Sequence, residues 1–251
     1  MTRRRALLAA TGATVVAGLA GCTGLGSSGD DTATDGRDPN GGEAGSDGGD
    51  TPSGPAATAP IPDDPGAHTY ARTSAGATAT VTLVTNWKCP FCAEFATGSD
   101  RVLSLGELVA DYVAPGDVAL ACRALCYGAD GEPFLGRDAP RAGRAGLAVW
   151  NVDPASYWRY HERVLANQPP EDEAWATRDR LVEFARSAGV SDPDAVGAAI
   201  GDGSHGSEVR ATTAFAADAG VEGTPTLVVG DGTYSPFEPE ALRDALDGVG
   251  G

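Results

Sequence analysis

A run of β-branched and small residues, "ATATVTLVT" from Ala77 to Thr85, leads within four positions into Cys89-Pro90-Phe91-Cys92. Behind the first cysteine the apolar pattern changes period: Phe91, Cys92, Phe95 and Ala96 share a helical face, and Leu105, Leu108, Val109 and Tyr112 continue it. A buried strand that feeds straight into a helix is an α/β junction, and it fixes where the two cysteines sit. Gly98-Ser99-Asp100 interrupts the helical pattern, which predicts either one kinked helix or two consecutive ones.

The junction places Cys89 at a helix N-terminus, where unpaired backbone N–H groups point outward. Their partial positive charge favours a thiolate and lowers the cysteine pKa. Pro90 lacks an N–H, which costs nothing in the first turn, and its fixed φ suits a helix start. Two intervening residues keep the sulfurs within disulfide range, so the pair can open and close without moving the scaffold. Lys88, the only lysine of the chain, is either a cation that tunes Cys89 or a solvated surface charge. Zinc sites use the same cysteine spacing. Cys122 and Cys126 supply two more sulfurs, so a zinc- or copper-binding or metal-delivery protein is the alternative from another class. Against it, Pro90-Phe91 stands where a helix should begin rather than on a turn of small residues. Neither His161 nor His205 falls in a ligand pattern with the cysteines.

Further along, "DVALACRAL" (Asp117 to Leu125) reads as a second strand. A helical block follows at about 137–220. Asp153-Pro154 looks like a helix start, Ala174 to Ala188 carries another apolar face, and Asp192-Pro193 opens a short helix. Ser207 to Ala219 forms a further one. "GTPTLVVGDGTYS" (Gly223 to Ser235) predicts two short strands about a Gly-Asp-Gly turn, and Pro239 to Leu246 a closing helix.

Strand, CPFC, helix, a helical block and then Gly223-Thr224-Pro225 opening a strand resembles the thioredoxin fold in its DsbA-like form, from roughly Ala77 to Val249. The resemblance implies an α/β thioredoxin fold with a helical insertion and protein thiol–disulfide oxidoreductase activity that needs no cofactor. Cys89 is then the accessible sulfur and Cys92 its mate, buried behind it. The resemblance also implies that Pro225 is cis and faces the cysteines, and that Thr224 and Pro225 hold a substrate strand. A cis bond before proline costs only about 0.5–1 kcal/mol. Phe91 departs from the strongest oxidases of the family, which carry at that position a histidine that stabilises the thiolate. The direction of exchange is therefore left open.

In an unbroken strand the Cα atoms of Cys122 and Cys126 would lie about 13 Å apart, beyond the roughly 7 Å limit for a disulfide. The expectation is that the strand ends near Arg123 or Ala124 and turns back so that the two pair. Free thiols are a liability in an oxidising compartment.

That compartment is suggested by the first residues. "MTRRRALLAATGATVVAGLAGC" has three arginines followed by an apolar run too short to span a membrane. Thr2 to Leu8 resembles a twin-arginine export signal, and Leu19-Ala20-Gly21-Cys22 a lipobox that would make Cys22 the lipidated first residue. The expected organisation is a signal peptide at 1–22, a disordered acidic Gly/Ser/Asp linker at 23–67 and a folded domain at 68–251. The linker lacks the apolar residues needed to offset its ordering entropy. Expected partners are exported proteins with thiols or disulfides, a recycling redox partner, and the membrane through the lipid anchor alone. With 35 acidic against 18 basic residues the net charge is −17. Such a surface repels nucleic acid and anionic lipid headgroups. Acidity with a single lysine resembles the proteins of extreme halophiles.

Overall fold

The computed structural model describes residues 54–250 apart from 75 and 78; the expected signal peptide, Cys22 and most of the linker lie outside them. Four strands form one sheet in the order β2-β1-β3-β4. β1 (Ala79–Thr85) runs parallel to β2 (Val118–Ala124) and antiparallel to β3 (Thr226–Val229), which pairs with β4 (Gly232–Tyr234) as a hairpin. Side chains of β1 alternate between the two faces. Leu83 enters the larger core with Phe95, Leu120, Leu227 and Leu242, whereas Val84 enters a smaller one with Leu125, Ala216 and Val221.

The free edge of β2 is covered by the chain itself. Thr73 N donates to Leu120 O and Cys122 N to Ala71 O, both at 2.8 Å, while Thr73 Oγ1 accepts from Leu120 N at 2.9 Å. Ahead of this, a 3-10 turn at Pro55–Thr58 packs on α4 (Tyr157–Ala166), burying Ala56 and Ala57. Residues 54–62 therefore pack on the domain, although they fall within the span expected to be linker. Small and proline residues look like spacer in sequence, yet three alanines, 56, 57 and 59, are buried here.

The interrupted helix resolves into two. α1 (Pro90–Thr97) ends at Gly98, whose φ of 84° is open to glycine. α2 (Leu105–Leu108) starts from a Ser104–Glu107 capping box and runs on as a π turn at Val109–Val113. The helical block contains α3 (Ala139–Val152), α4, α5 (Arg178–Ser187), α6 (Pro193–Gly201) and α7 (Gly206–Asp218), and α8 (Pro239–Gly250) closes the chain. Pro154–Ser156 forms a 3-10 turn before α4 instead of its first turn. α5 starts at the Thr177 cap, later than the apolar pattern suggested, because Ala176 N is taken by the Asp138 carboxylate.

The sequence reading did not single out α3. Gly143 and Gly146 weaken its helical signal, since each costs about 1 kcal/mol relative to alanine. Packing requires both. A Cβ on Gly143 would stand 2.6 Å from Cys126 Sγ, and one on Gly146 would fall inside the Trp87 indole ring. Gly146→Ala should therefore destabilise the domain by at least about 2 kcal/mol, because Trp87 cannot withdraw from a close-packed site without loss. Thermal unfolding checks this, and a melting temperature equal to that of the wild type would contradict the close approach.

Candidate active site

The turn between β1 and α1 is built around Asn86, which is wholly buried. Its Nδ2 donates to Leu125 O at 2.9 Å and Phe134 O at 3.2 Å, and its Oδ1 accepts from Lys88 N at 2.9 Å. Cys89 N in turn donates to Asn86 O at 3.0 Å. These bonds fasten the turn to the loop that follows β2. Sequence reasoning missed Asn86, although an Asn bonding to the backbone two residues on is a recognisable turn signal.

Cys89 is the N-cap of α1 and Pro90 opens the helix. Cys89 is 4% exposed and Cys92, one turn on, is 0%. The Cys89 thiol donates to Thr224 O at 3.2 Å, and the Thr224–Pro225 peptide is cis. The fold thus brings Cys89, Cys92, Thr224 and Pro225 together from two ends of the chain. Both cysteines are free thiols in this structure.

The two sulfurs differ sharply. Donation from the Cys92 thiol lowers the Cys89 pKa most; burial opposes it, and the Thr224 side chain with the Cys92 and Phe91 amides carries it down to about 6. Burial is the main reason that Cys92 titrates well above the ordinary thiol range, and the neighbouring Cys89 pushes it further. One sulfur is therefore set to be a thiolate near neutral pH and the other to keep its proton.

Lys88 is not a solvated surface charge. It is 1% exposed, and its ammonium donates to Asp138 Oδ1 at 2.6 Å and to Glu173 O at 2.7 Å. Burial pushes the Asp138 carboxyl up, but the Lys88 ammonium and the Ala176 amide outweigh it and hold the pKa below the usual value. A cation neutralised this closely has little field left for Cys89. Phe91, in contrast, is 53% exposed, and its ring meets Phe237 edge-on at 5.8 Å. The Arg101 guanidinium lies 5.1 Å from the Phe237 ring centre.

The expected Cys122–Cys126 disulfide is absent; both are free and buried. β2 ends at Ala124, as expected, but the chain does not turn back there: Leu125 N still donates to Thr85 O at 2.9 Å, and Cys126 O pairs across its loop with Phe134 N at 2.9 Å. Cys122 packs in the main core beside Tyr157, while Cys126 lies in a separate cluster with Ala139, Leu147 and Val209. Burial raises both thiols to about 12. Among the described residues no group of three or more His, Cys, Asp or Glu side chains is placed to hold a metal ion. His161 is enclosed by Trp87, Tyr157 and Trp158, away from any cysteine ligand set, and burial depresses its pKa to about 3. The metal-binding alternative finds no support in these residues.

Known proteins are similar to this chain in sequence and fold. Disulfide bond formation protein D of Bacillus subtilis (strain 168) is 26% identical over 169 residues, covering 67% of this chain and 71% of its own length. The crystal structure of oxidised BdbD from Bacillus subtilis superposes with a TM-score of 0.56 at 25% identity, over 67% of this chain and 87% of that one. DsbA of Chlamydia trachomatis gives the same TM-score at 21% identity, over 68% and 86%, and supports the fold alone. The family model described as Thioredoxin matches residues 69–248. With most of the described chain inside that match, the protein belongs to the thioredoxin family, as a DsbA-like thiol–disulfide oxidoreductase.

Proposed function

We propose that the protein oxidises exported proteins outside the cytoplasm, using Cys89 and Cys92 as its catalytic pair. The observation that carries this reading is the asymmetry of the pair: one sulfur at the Thr224 backbone with a lowered pKa, the other buried with a raised one. A substrate thiolate attacks Cys89 Sγ of the Cys89–Cys92 disulfide. The intramolecular S–S bond breaks, a mixed disulfide forms, and Cys92 takes up a proton. A second substrate thiolate then attacks the substrate sulfur of the mixed disulfide and expels Cys89 as a thiolate, a good leaving group because its pKa is low. The substrate loses two electrons and two protons. The pair gains both electrons and passes them to a recycling redox protein. Thr224 and Pro225 hold the incoming strand, while Phe91 and Phe237 offer it an apolar surface.

The oxidising direction is supported by the thiolate, which stabilises the reduced pair, and by the names of similar proteins that form disulfide bonds. Export and anchoring are supported by the arginine-led segment, the lipobox-like Leu19-Ala20-Gly21-Cys22 and the polar, apolar-poor composition of the residues that follow. A saline working medium is supported by the acidic, lysine-poor composition.

The test is the reduction potential of the Cys89–Cys92 couple, measured at high salt against glutathione. A value more oxidising than about −200 mV is expected. A potential near that of thioredoxin, about −270 mV, would reverse the proposed direction.

A further inference from the structure

The carbonyl of Cys89 is held by two donors. One is the Ala93 amide at 3.1 Å, within α1; the other is Gln168 Nε2 at 2.9 Å, reaching across from the loop between α4 and α5. Gln168 belongs to the helical insertion, yet it is bonded to the backbone of the residue whose sulfur reacts. Its Oε1 is buried and has no protein partner. The reverse amide orientation would set two oxygens against each other, so the Nε2 group is the one that faces the carbonyl.

The loop that carries Gln168 is itself fastened. Lys88 Nζ donates to Glu173 O at 2.7 Å, Ala176 N to Asp138 Oδ2 at 2.8 Å, and Arg141 Nη1 to Ala176 O at 2.9 Å. Pro169 and Pro170 follow Gln168 directly and restrict its backbone. A cleft of about 400 Å³ separates the loop from the outer face of α1; Pro90, Ala93 and Leu165 line it, and Gln168 stands in its wall. Across this cleft, Gln168 contacts the redox turn through its side chain rather than its backbone.

We infer that Gln168 is a positioning residue of the redox site, holding the Cys89 carbonyl so that the next amides of α1 stay aimed at the Cys89 sulfur. The inference rests on the reading of Cys89 as the reacting thiol. The amides in question are those of Phe91 and Cys92, both of which help the sulfur to ionise. They lie on the peptide planes immediately after the one that Gln168 grips. A tilt of that plane tilts them, and hydrogen bonds weaken steeply as they lose alignment. Lys88 acts on the same geometry indirectly, by fixing the loop from which Gln168 reaches.

The charged and titratable groups carried by the elements that meet here are Cys92 and Glu94 on α1, with Arg101 beyond its end, Tyr157, Arg159, Tyr160, His161, Glu162 and Arg163 on α4, and Lys88 with Asp138. Glu171, Asp172 and Glu173 lie on the α4–α5 loop, and Glu222 ahead of β3. Gln168→Leu and Gln168→Met alter none of them; both remove the donor and keep an apolar chain of similar reach.

The experiment follows the thiolate absorbance of the reduced full-length protein against pH, for the wild type and both variants, alongside thermal unfolding and exchange with glutathione disulfide. In both variants the acid dissociation constant of Cys89 should fall about three- to tenfold, the worth of one modest hydrogen bond. The exchange rate below the midpoint should fall by a similar factor. A tie that served only to hold the insertion in place would lower the melting temperature and leave the titration where it was. Wild-type titration curves in both variants would overturn the inference and leave the active-site reading intact. A wild type in which no thiol titrates below the ordinary range would remove both. If one substitution prevents folding, the other decides.

Discussion

Cys89→Ser should reduce disulfide exchange to background, whereas Cys92→Ser should stop the reaction half-way and accumulate mixed disulfides between Cys89 and its substrates. The difference follows from burial and charge. Cys89 meets the Thr224 backbone and titrates near 6, so it is the sulfur that attacks or is attacked near neutral pH. Cys92 is sealed behind it and keeps its proton, so it can only resolve a bond that Cys89 has already made. Gel shifts under non-reducing conditions, with a protein carrying scrambled disulfides as substrate, separate the two outcomes: the Cys89 thiolate attacks a substrate disulfide and releases one substrate thiolate. Activity unchanged in Cys89→Ser would end the assignment.

The same asymmetry sets a pH dependence. Reactions initiated by the Cys89 thiolate should slow about tenfold for each pH unit below its midpoint near 6. A thiol lowered from 9.0 to about 6 stabilises the reduced fold fully above pH 9, and this contribution is lost as pH falls through 6. The disulfide form carries no such contribution. The preference for the reduced pair, and with it the oxidising power, therefore weakens as the medium is acidified.

The second large effect is expected at Lys88. Lys88→Met leaves the Asp138 carboxylate in an enclosed site with the Ala176 amide as its remaining donor. Removing one member of a buried ion pair typically costs about 3–5 kcal/mol, because the other charge is stranded. Replacing both, as Lys88→Met with Asp138→Leu, should recover most of that loss, since an apolar pair of similar volume needs no counter-charge. Chemical denaturation of the two variants and the wild type tests this. Equal stability of the single variant and the wild type would show the pair to be solvated. The comparison also bears on tuning: the double variant removes the Lys88 charge together with the Lys88–Glu173 and Asp138–Ala176 ties to the loop, so an unchanged Cys89 titration in it would show that neither reaches the sulfur.

What could be read from the sequence was local. The strand before Cys89, the helix after it, the hairpin about Gly230 and the paired strands all announce themselves through apolar period and turn residues. What could not be read depends on partners far along the chain. Lys88 looks like an ordinary surface cation until Asp138, fifty positions away, is found beside it. Gly143 and Gly146 look like helix breakers until the Cys126 sulfur and the Trp87 ring are seen against them. Ala56 and Ala57 sit in a stretch whose composition reads as spacer, yet both are buried. For Cys122 and Cys126, an argument from compartment chemistry suggested a bond, whereas the chain beyond β2 carries the two thiols into separate clusters. Gln168 carried no motif at all.

The margin of the sheet beyond β2 bears on how other polypeptides approach. Residues 71–73 already occupy that side, and the opposite side ends in a strand of three residues. A visiting chain looking for a row of vacant amides and carbonyls to zip onto meets a filled seam at one end and a stub at the other. Docking by strand addition is thereby discouraged at both edges of the sheet, which keeps chance associations few.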